Sequence, residues 1–213
     1  MNEKSKLNNL ILNKTKESLL KNFFEAKIIN NKDDIINELH QLINKNDIIG
    51  YGGSKSLDEI GFFNHFNKKN YPNLLDRNDP NLTPEEKKEL QNKALTADVF
   101  LCSANALSQT GELILIDKWG NRNGAMTYGP KKRIFITGVN KIVLTLNEAI
   151  ERAKNEASVL NNIRFDTKNP CTINGRCMDC NSTSRICSIT TIIHRCQPPK
   201  SIVILLVDET LGF

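Results

Sequence analysis

Residues 48–61 read Ile48-Ile49-Gly50-Tyr51-Gly52-Gly53-Ser54-Lys55-Ser56-Leu57-Asp58-Glu59-Ile60-Gly61. The stretch opens on a short apolar run that reads as a buried strand. Glycines follow, where a backbone turns tightly or comes close to something. Ser56 and Glu59 then have the spacing of a capping box, a hydroxyl for one free helix N–H and a carboxylate reaching back from three residues on. Strand, glycine turn and capped helix in direct succession are the parts of an α/β fold. A turn of this kind also presents free N–H groups and the positive end of a helix dipole to an anion. Lys55 and the Ser54 and Ser56 hydroxyls suit a phosphate or a carboxylate. A tight connection without a ligand fits the same residues, because one glycine-rich turn is a weak signal.

The rest of the chain continues the alternation. Leu7, Leu10, Ile11, Leu19, Leu20, Phe23 and Phe24 recur at mostly helical spacing and predict an amphipathic helix. A short strand is expected at 26–29. A helix starting at Asp33 and Asp34 carries Ile35, Ile36, Leu39, Leu42 and Ile43. Residues 62–66 read as a helix remnant and 74–76 as a short strand. Thr83-Pro84-Glu85-Glu86 gives a cap, a proline at the first helical position and acids in the first turn. Strands are expected at 97–102, 112–117, 133–138, 141–143 and 202–207, with a polar loop at 103–111 and a helix over 147–160. Residues 120–126 fit helix or loop. The pattern predicts an α/β fold with a mostly parallel sheet flanked by helices. It places ligands outside the carboxyl ends of strands, at the loops after Ile49 and Cys102. One domain over 1–213 is expected, with a cysteine-rich segment at 169–197 before the last strand.

Composition narrows the partners. With 39% hydrophobic and 25% charged residues in 213, the chain is of ordinary globular type. The net charge of +5 is spread through interleaved lysines and glutamates, the densest basic run is Lys131-Lys132-Arg133, and aromatics are 6%. A nucleic-acid face needs clustered cations and stacking rings, so no nucleic-acid partner is expected. Residues 1–6 are polar and no apolar signal core follows. The aliphatic run 202–207 is too short for a bilayer. The reading is a cytoplasmic protein without a membrane partner; self-association into a homo-oligomer is left open. Six cysteines in a reducing compartment argue for metal, redox or buried thiols before disulfides.

Several constellations could carry chemistry. Gly50 and Gly52 match the first two glycines of G-x-G-x-x-G, and Asp76 is an acid at a fitting distance, but Lys55 stands where the third glycine allows close helix packing. Asn105, Gln109 and Thr110 can hydrogen-bond an oxygen-rich ligand beside Gly111. Glu112 is a candidate general base or nucleophile, or a solvated strand-end acid. Asn121 and Arg122 follow, with Arg122 a candidate for bidentate capture of a carboxylate. Cys171, Cys177, Cys180, Cys187 and Cys196 include one C-x-x-C, at Cys177 and Cys180. Four thiolates in this window could hold zinc or an iron–sulfur cluster, though the spacing matches neither the paired zinc pattern nor a ferredoxin run. A redox dithiol and inert thiols are the alternatives. His194 lies near Cys196. Cys102 reads as a small core residue, and His40 and His65 carry no assigned role.

Taken together, Gly52-Gly53-Ser54-x-Ser56-Leu57-x-Glu59-x-Gly61, Ala97-Asp98, Asn105-Ala106-x-x-x-Thr110-Gly111-x-Leu113, Asp117-x-x-Gly120-Asn121-Arg122, Gly129-Pro130 and Gly138-Val139-Asn140-Lys141-Ile142-Val143 resemble the lactate-utilisation (LUD) domain family. The tail from Asn169 to Cys196 resembles a cysteine-bearing branch of it. The resemblance implies a fold similar to ribose-5-phosphate isomerase, glucosamine-6-phosphate deaminase and the CoA transferases. It also implies a small anionic or phosphorylated ligand held by Gly52, Gly53, Ser54, Lys55, Ser56, Glu59, Asn105, Thr110, Gly111, Asn121, Arg122, Asn140 and Lys141. The function implied is support of L-lactate or related hydroxy-acid oxidation beside iron–sulfur oxidoreductase partners. A stand-alone sugar-phosphate isomerase or CoA/acyl transferase using Glu112, and a non-catalytic assembly module stabilised by metal at the cysteines, are the rival readings.

Overall fold

The structure, a computed structural model, describes residues 2–213. In chain order the elements are α1 (Glu3–Lys21), β1 (Glu25–Ile29), α2 (Ile35–Leu42), β2 (Ile49–Tyr51), α3 (Lys55–Glu59), α4 (Phe62–His65), α5 (Pro84–Ala94), β3 (Val99–Cys102), β4 (Ala106–Ser108) and β5 (Leu113–Asp117). They continue with α6 (Asn121–Thr127), β6 (Lys132–Gly138), β7 (Ile142–Val143), α7 (Leu146–Arg152), a π-helical turn (Ala153–Ala157), α8 (Ser158–Arg164), α9 (Cys171–Asn174), β8 (Ile189–Ile193) and β9 (Ile202–Val207).

The main sheet has five strands in the order β1-β9-β6-β3-β2, all parallel. Its inner strands are almost wholly buried; β3 and β9 are continuous apolar runs and β6 is apolar at its centre, over Ile134, Phe135 and Ile136. One face packs on α2, α3 and α4 through Ile35, Leu39, Leu57, Phe62 and Phe66. The other packs on α1, α5 and α6 through Leu12, Leu19, Ala94, Ala125 and Met126. The chain passes from β1 at one edge to β2 at the other, then returns through β3, β6 and β9. The carboxyl ends of β2, β3, β6 and β9 therefore lie side by side, where a ligand site is expected in such a sheet.

A second sheet, ordered β7-β4-β5-β8, was not anticipated from the sequence. Residues 103–111 read as a polar loop, yet Ala106–Ser108 pairs antiparallel with β5 and parallel with β7. Three residues carry too little pattern to announce a strand; their partners supply it. Likewise β8 lies within the cysteine-rich segment and pairs with all of β5. α7 covers the outer face through Ala149, against Ala106, Ile114 and Ile116.

Three local expectations are corrected. Residues 74–76 form no strand, only one bridge between Leu74 and Ile49. The capping box at Ser56 and Glu59 is not made: the helix starts two residues earlier with Ser54 at its cap position, and Ser56 is buried inside it. Tertiary partners take both groups, as the next section describes. By contrast, Thr83 with Glu86 and Thr145 with Glu148 do form complete capping boxes. On α1 the buried side is Leu12, Thr15 and Leu19, whereas Leu7, Leu10, Leu20 and Phe23 are exposed. Among the described residues no helix is long and apolar enough to cross a membrane.

Candidate functional site

The loops leaving β2, β3, β6 and β9 meet at one place. Gly52 is where two of them touch. A Cβ there would sit 2.7 Å from Arg122 Cδ, 2.9 Å from Arg122 Cγ and 3.2 Å from Cys102 Cβ. The glycine thus lets the Arg122 stem cross beneath the turn, a packing role distinct from cradling a phosphate. Beyond it, the Ser54 hydroxyl is buried and has no hydrogen-bond partner among the described residues.

Ser56, from the same turn, reaches the C-terminal residues: its Oγ lies 3.3 Å from the Leu211 carbonyl. Glu59 accepts from the Gly212 N–H at 2.7 Å. Asn140, after β6, donates to the Gly212 carbonyl at 3.0 Å and accepts from Leu211 N–H at 3.0 Å. Glu59 and Asn140, expected to face a ligand, instead hold residues 211–212 across the strand ends. Lys141 lies beneath, 1% exposed, its Nζ donating to Ser56 Oγ at 3.0 Å and Ser103 Oγ at 2.8 Å. Burial first, then the Arg152 and Arg122 charges, pull its pKa down to about 7. Cys102, fully buried nearby, has its thiol pushed up to about 12 by burial, so it is an inert core residue at neutral pH.

Outward from this floor opens a cleft of about 480 Å³. Gly53, Asn105, Asn121 and Arg122, four of the candidate ligand residues, line it. Arg77, Lys118, Trp119, Arg164 and Phe165 also line it and were not predicted. Lys55, Ser54, Ser103 and Lys141 border a narrower neck that shares Gly53, Asn105, Arg122, Asn161 and Arg164 with the cleft. Among the described residues Lys55, Arg77, Lys118, Arg122 and Arg164 form no ion pair. The one carboxylate on the wall, Asp117, is occupied by the N–H groups of Arg122 at 3.0 Å and Asn123 at 3.3 Å. The cleft is therefore strongly cationic.

Arg122 does less than a free clamp would. Its Nη1 donates to the Ser103 carbonyl at 3.1 Å, and its Nη2 to Asn105 Oδ1 at 2.9 Å and the Ile116 carbonyl at 2.6 Å. That leaves one Nη1 hydrogen and Nε for a ligand. Arg122 ties the two sheets together and lends charge.

Thr110, Gly111 and Glu112 are not brought to the cleft. They form the turn between β4 and β5, at the far end of the hairpin from Asn105 and Asp117. Asn22 donates to the Thr110 carbonyl at 3.0 Å, and Gly111 packs on the end of α1. The Glu112 carboxylate accepts from Ser108 and, at 2.6 Å, from Thr110. Burial works to raise its pKa, but these hydrogen bonds outweigh it and hold the carboxyl below its ordinary range. A satisfied, ionised acid at a hairpin turn is not poised as base or nucleophile for a ligand at the strand ends.

Comparison with known proteins agrees with this architecture. A family model described as the LUD domain matches residues 12–207. The chain belongs to the LUD-domain family. No curated protein matches it. Among solved structures, a DUF162 family protein from Deinococcus radiodurans, determined as a crystal structure at 1.70 Å resolution, is similar with a TM-score of 0.54. The match covers 94% of this chain and 98% of that one at 14% identity, a likeness of fold.

In this LUD domain the tail cysteines divide into two sets. Cys171, Cys177, Cys180 and Cys187 lie close enough for their charges to act on one another: the Cys171 thiol is pushed up by burial and then by the other three. Arg185 fastens their loop, donating to the carbonyls of Cys180 at 2.6 Å and Cys187 at 3.1 Å. Cys196 stands apart in the core, its Sγ 3.1 Å from the Pro198 carbonyl and 3.4 Å from Ser201 Oγ. A five-cysteine site is thereby excluded. Among the described residues no three His, Cys, Asp or Glu side chains converge as a metal site. The donor set as arranged does not fit a zinc ion or a cluster.

Arg152 is a further residue that the sequence reading passed over. It is buried on α7, with Nη1 donating to the Asn105 carbonyl at 2.6 Å, Nε to the Asn140 carbonyl at 3.2 Å, and Nη2 pairing with Glu156 at 2.8 Å. It pins both loops that carry the floor of the cleft. Its helical spacing from Ala149 and Ala153, on the apolar face, was the signal that could have found it.

Proposed function

We propose that this LUD domain binds a small anionic or phosphorylated ligand in the cleft at the carboxyl ends of β2, β3, β6 and β9, and serves L-lactate or related hydroxy-acid oxidation. The observation that carries the reading is the gathering of Lys55, Arg77, Lys118, Arg122 and Arg164, without ion-pair partners among the described residues, around the cleft and its neck. Unpaired cations at one face raise the local concentration of anions and give carboxylate or phosphate oxygens charge-assisted hydrogen bonds. Exposed Trp119 and Phe165 on the rim add flat apolar surface for the rest of the ligand. Family membership supports the link to lactate utilisation. In that setting the two electrons taken from the hydroxy acid pass to iron–sulfur oxidoreductase partners and the two protons are released to solvent.

The test is a thermal-shift series with L-lactate, pyruvate, CoA and sugar phosphates on the wild type and on Arg164→Ala and Arg77→Ala. We expect at least one anion to raise the wild-type Tm in a saturable way, with the shift reduced in both variants. A series in which no anion moves the wild-type transition would refute the reading.

A further inference from the structure

Lys141 is the one buried cation at the site that an anion-binding role leaves without a task. It forms no ion pair among the described residues, and its two partners are neutral hydroxyls. The proton count around it is informative. Each serine hydroxyl has a single hydrogen. Ser56 Oγ gives its hydrogen to the Leu211 carbonyl and Ser103 Oγ gives its own to the Ala104 carbonyl, both at 3.3 Å. Both hydroxyls must then accept from Lys141. A neutral amine has two N–H groups and a lone pair, so the two donations use both hydrogens and leave the lone pair unshared. An ammonium in the same place would carry a third hydrogen and a full charge in the interior, and the attraction of Glu59 is outweighed there by burial and the Arg152 and Arg122 charges.

The amine is also within reach of a ligand. Lys141, Ser54 and Ser103 border the neck, whose volume of about 20 Å³ admits one small polar group. The neck adjoins the cationic cleft, sharing Arg122 and Arg164 with it, and Lys55 lies on its own wall. From this geometry we infer that Lys141 is a nucleophile that condenses with the carbonyl of a small 2-oxo carboxylate, whose carboxylate group is held by Lys55 and Arg164. The inference rests on the anion-cleft reading above and names its substrate class.

The step balances without a redox partner. The nitrogen lone pair forms a C–N bond to the carbonyl carbon, and the carbonyl oxygen takes a proton released by the nitrogen, giving a carbinolamine. That hydroxyl then leaves as water while the nitrogen gives up its remaining hydrogen and the C=N bond forms. One water is released and no electrons are exchanged. The unpartnered Ser54 hydroxyl at the neck is the group positioned to hydrogen-bond the carbinolamine oxygen. A lysine desolvated beside other cations is activated for this chemistry.

The experiment is reductive trapping of the full chain. Wild type is incubated with pyruvate and sodium cyanoborohydride, weighed by intact-mass spectrometry and mapped by peptide digestion, with glyoxylate as a second probe. Pyruvate binding is followed in parallel by Trp119 fluorescence without reductant. We expect one reduced pyruvyl unit per chain on Lys141, absent from Lys141→Met and suppressed by excess L-lactate, which has the carboxylate but no carbonyl. The wild-type peptide map needs no variant to fold, and near-ultraviolet circular dichroism shows whether Lys141→Met does. Saturable pyruvate binding without an adduct on Lys141 overturns the inference and leaves the anion cleft standing. Labelling scattered over exposed lysines overturns it too. Neither binding nor adduct overturns the inference, and the cleft reading is then decided by the other anions of the thermal-shift series.

Discussion

At the scale of single residues, the site is organised by side chains that exclude alternatives. Gly52 is required because any Cβ there meets the Arg122 stem and Cys102, and Arg122 is fixed by three carbonyl or amide oxygens and has little freedom to move aside. We expect Gly52→Ala to lower stability by about 1–3 kcal/mol, measured by urea unfolding. A change within a few tenths of a kcal/mol would contradict that role. Lys141 makes stability depend on pH. Its folded pKa of about 7 lies below the ordinary lysine value of 10.5. Above the ordinary value both states are neutral and nothing is lost. As pH falls toward 7 the unfolded chain takes up a proton that the folded one refuses, so stability declines; below 7 the loss is constant. Each tenfold difference in proton affinity is worth 1.36 kcal/mol, which sets a ceiling of about 5 kcal/mol. The charged and titratable groups acting on Lys141 are Arg152, Arg122, Cys102 and Glu59. Unfolding free energies for wild type and Lys141→Met between pH 7 and 10 should converge on one side: wild type gains relative to the variant as pH rises. A constant difference across that range would contradict a neutral buried amine.

At the scale of elements, α7 and the loops it holds act as one unit. Arg152 bonds the Asn105 and Asn140 carbonyls from a buried position. Arg152→Met keeps the packing but leaves those carbonyls without their donor. We expect a loss of about 2–4 kcal/mol and weaker anion binding, both read from chemical unfolding and thermal shift. The same elements show what the sequence disclosed. The main-sheet strands were legible because Ile202–Val207 and Val99–Cys102 are unbroken apolar runs that only a strand buried on both faces explains. β4 and β8 were not, because Ala106–Ser108 is three residues long and only Ile193 of Ile189–Ile193 is buried; pairing with β5 makes each a strand. The loops carrying Ser54, Asn105 and Lys141 were found because they follow strands. Arg77, Trp119 and Arg164 were missed because they lie in connecting segments and at a helix end, and only tertiary packing turns them toward the cleft. Ser56 and Glu59 misled because a local capping pattern lost to partners more than 150 residues away.

At the scale of the whole molecule, the cysteine-bearing tail borders the cationic cleft, where Ser184 and Ile186 form part of the wall. The tail thiols differ in access. Cys177, Cys180 and Cys187 are partly exposed, while Cys102 and Cys196 are buried. A thiol reagent applied to native protein should therefore label Cys177, Cys180 and Cys187, with Cys102 and Cys196 reacting only on unfolding, as peptide mapping would read. Labelling of Cys196 at the rate of Cys177 would contradict its core placement. The cleft is the account's central claim, and the molecule carries its own reporter. Trp119 is the sole tryptophan, exposed and on the cleft wall. Titrating the protein with pyruvate and with L-lactate while following tryptophan emission tests the claim most directly. We expect a saturable change for at least one of these anions, weakened by added salt and reduced in Arg164→Ala. Emission that stays unchanged up to high millimolar concentrations of both would contradict it.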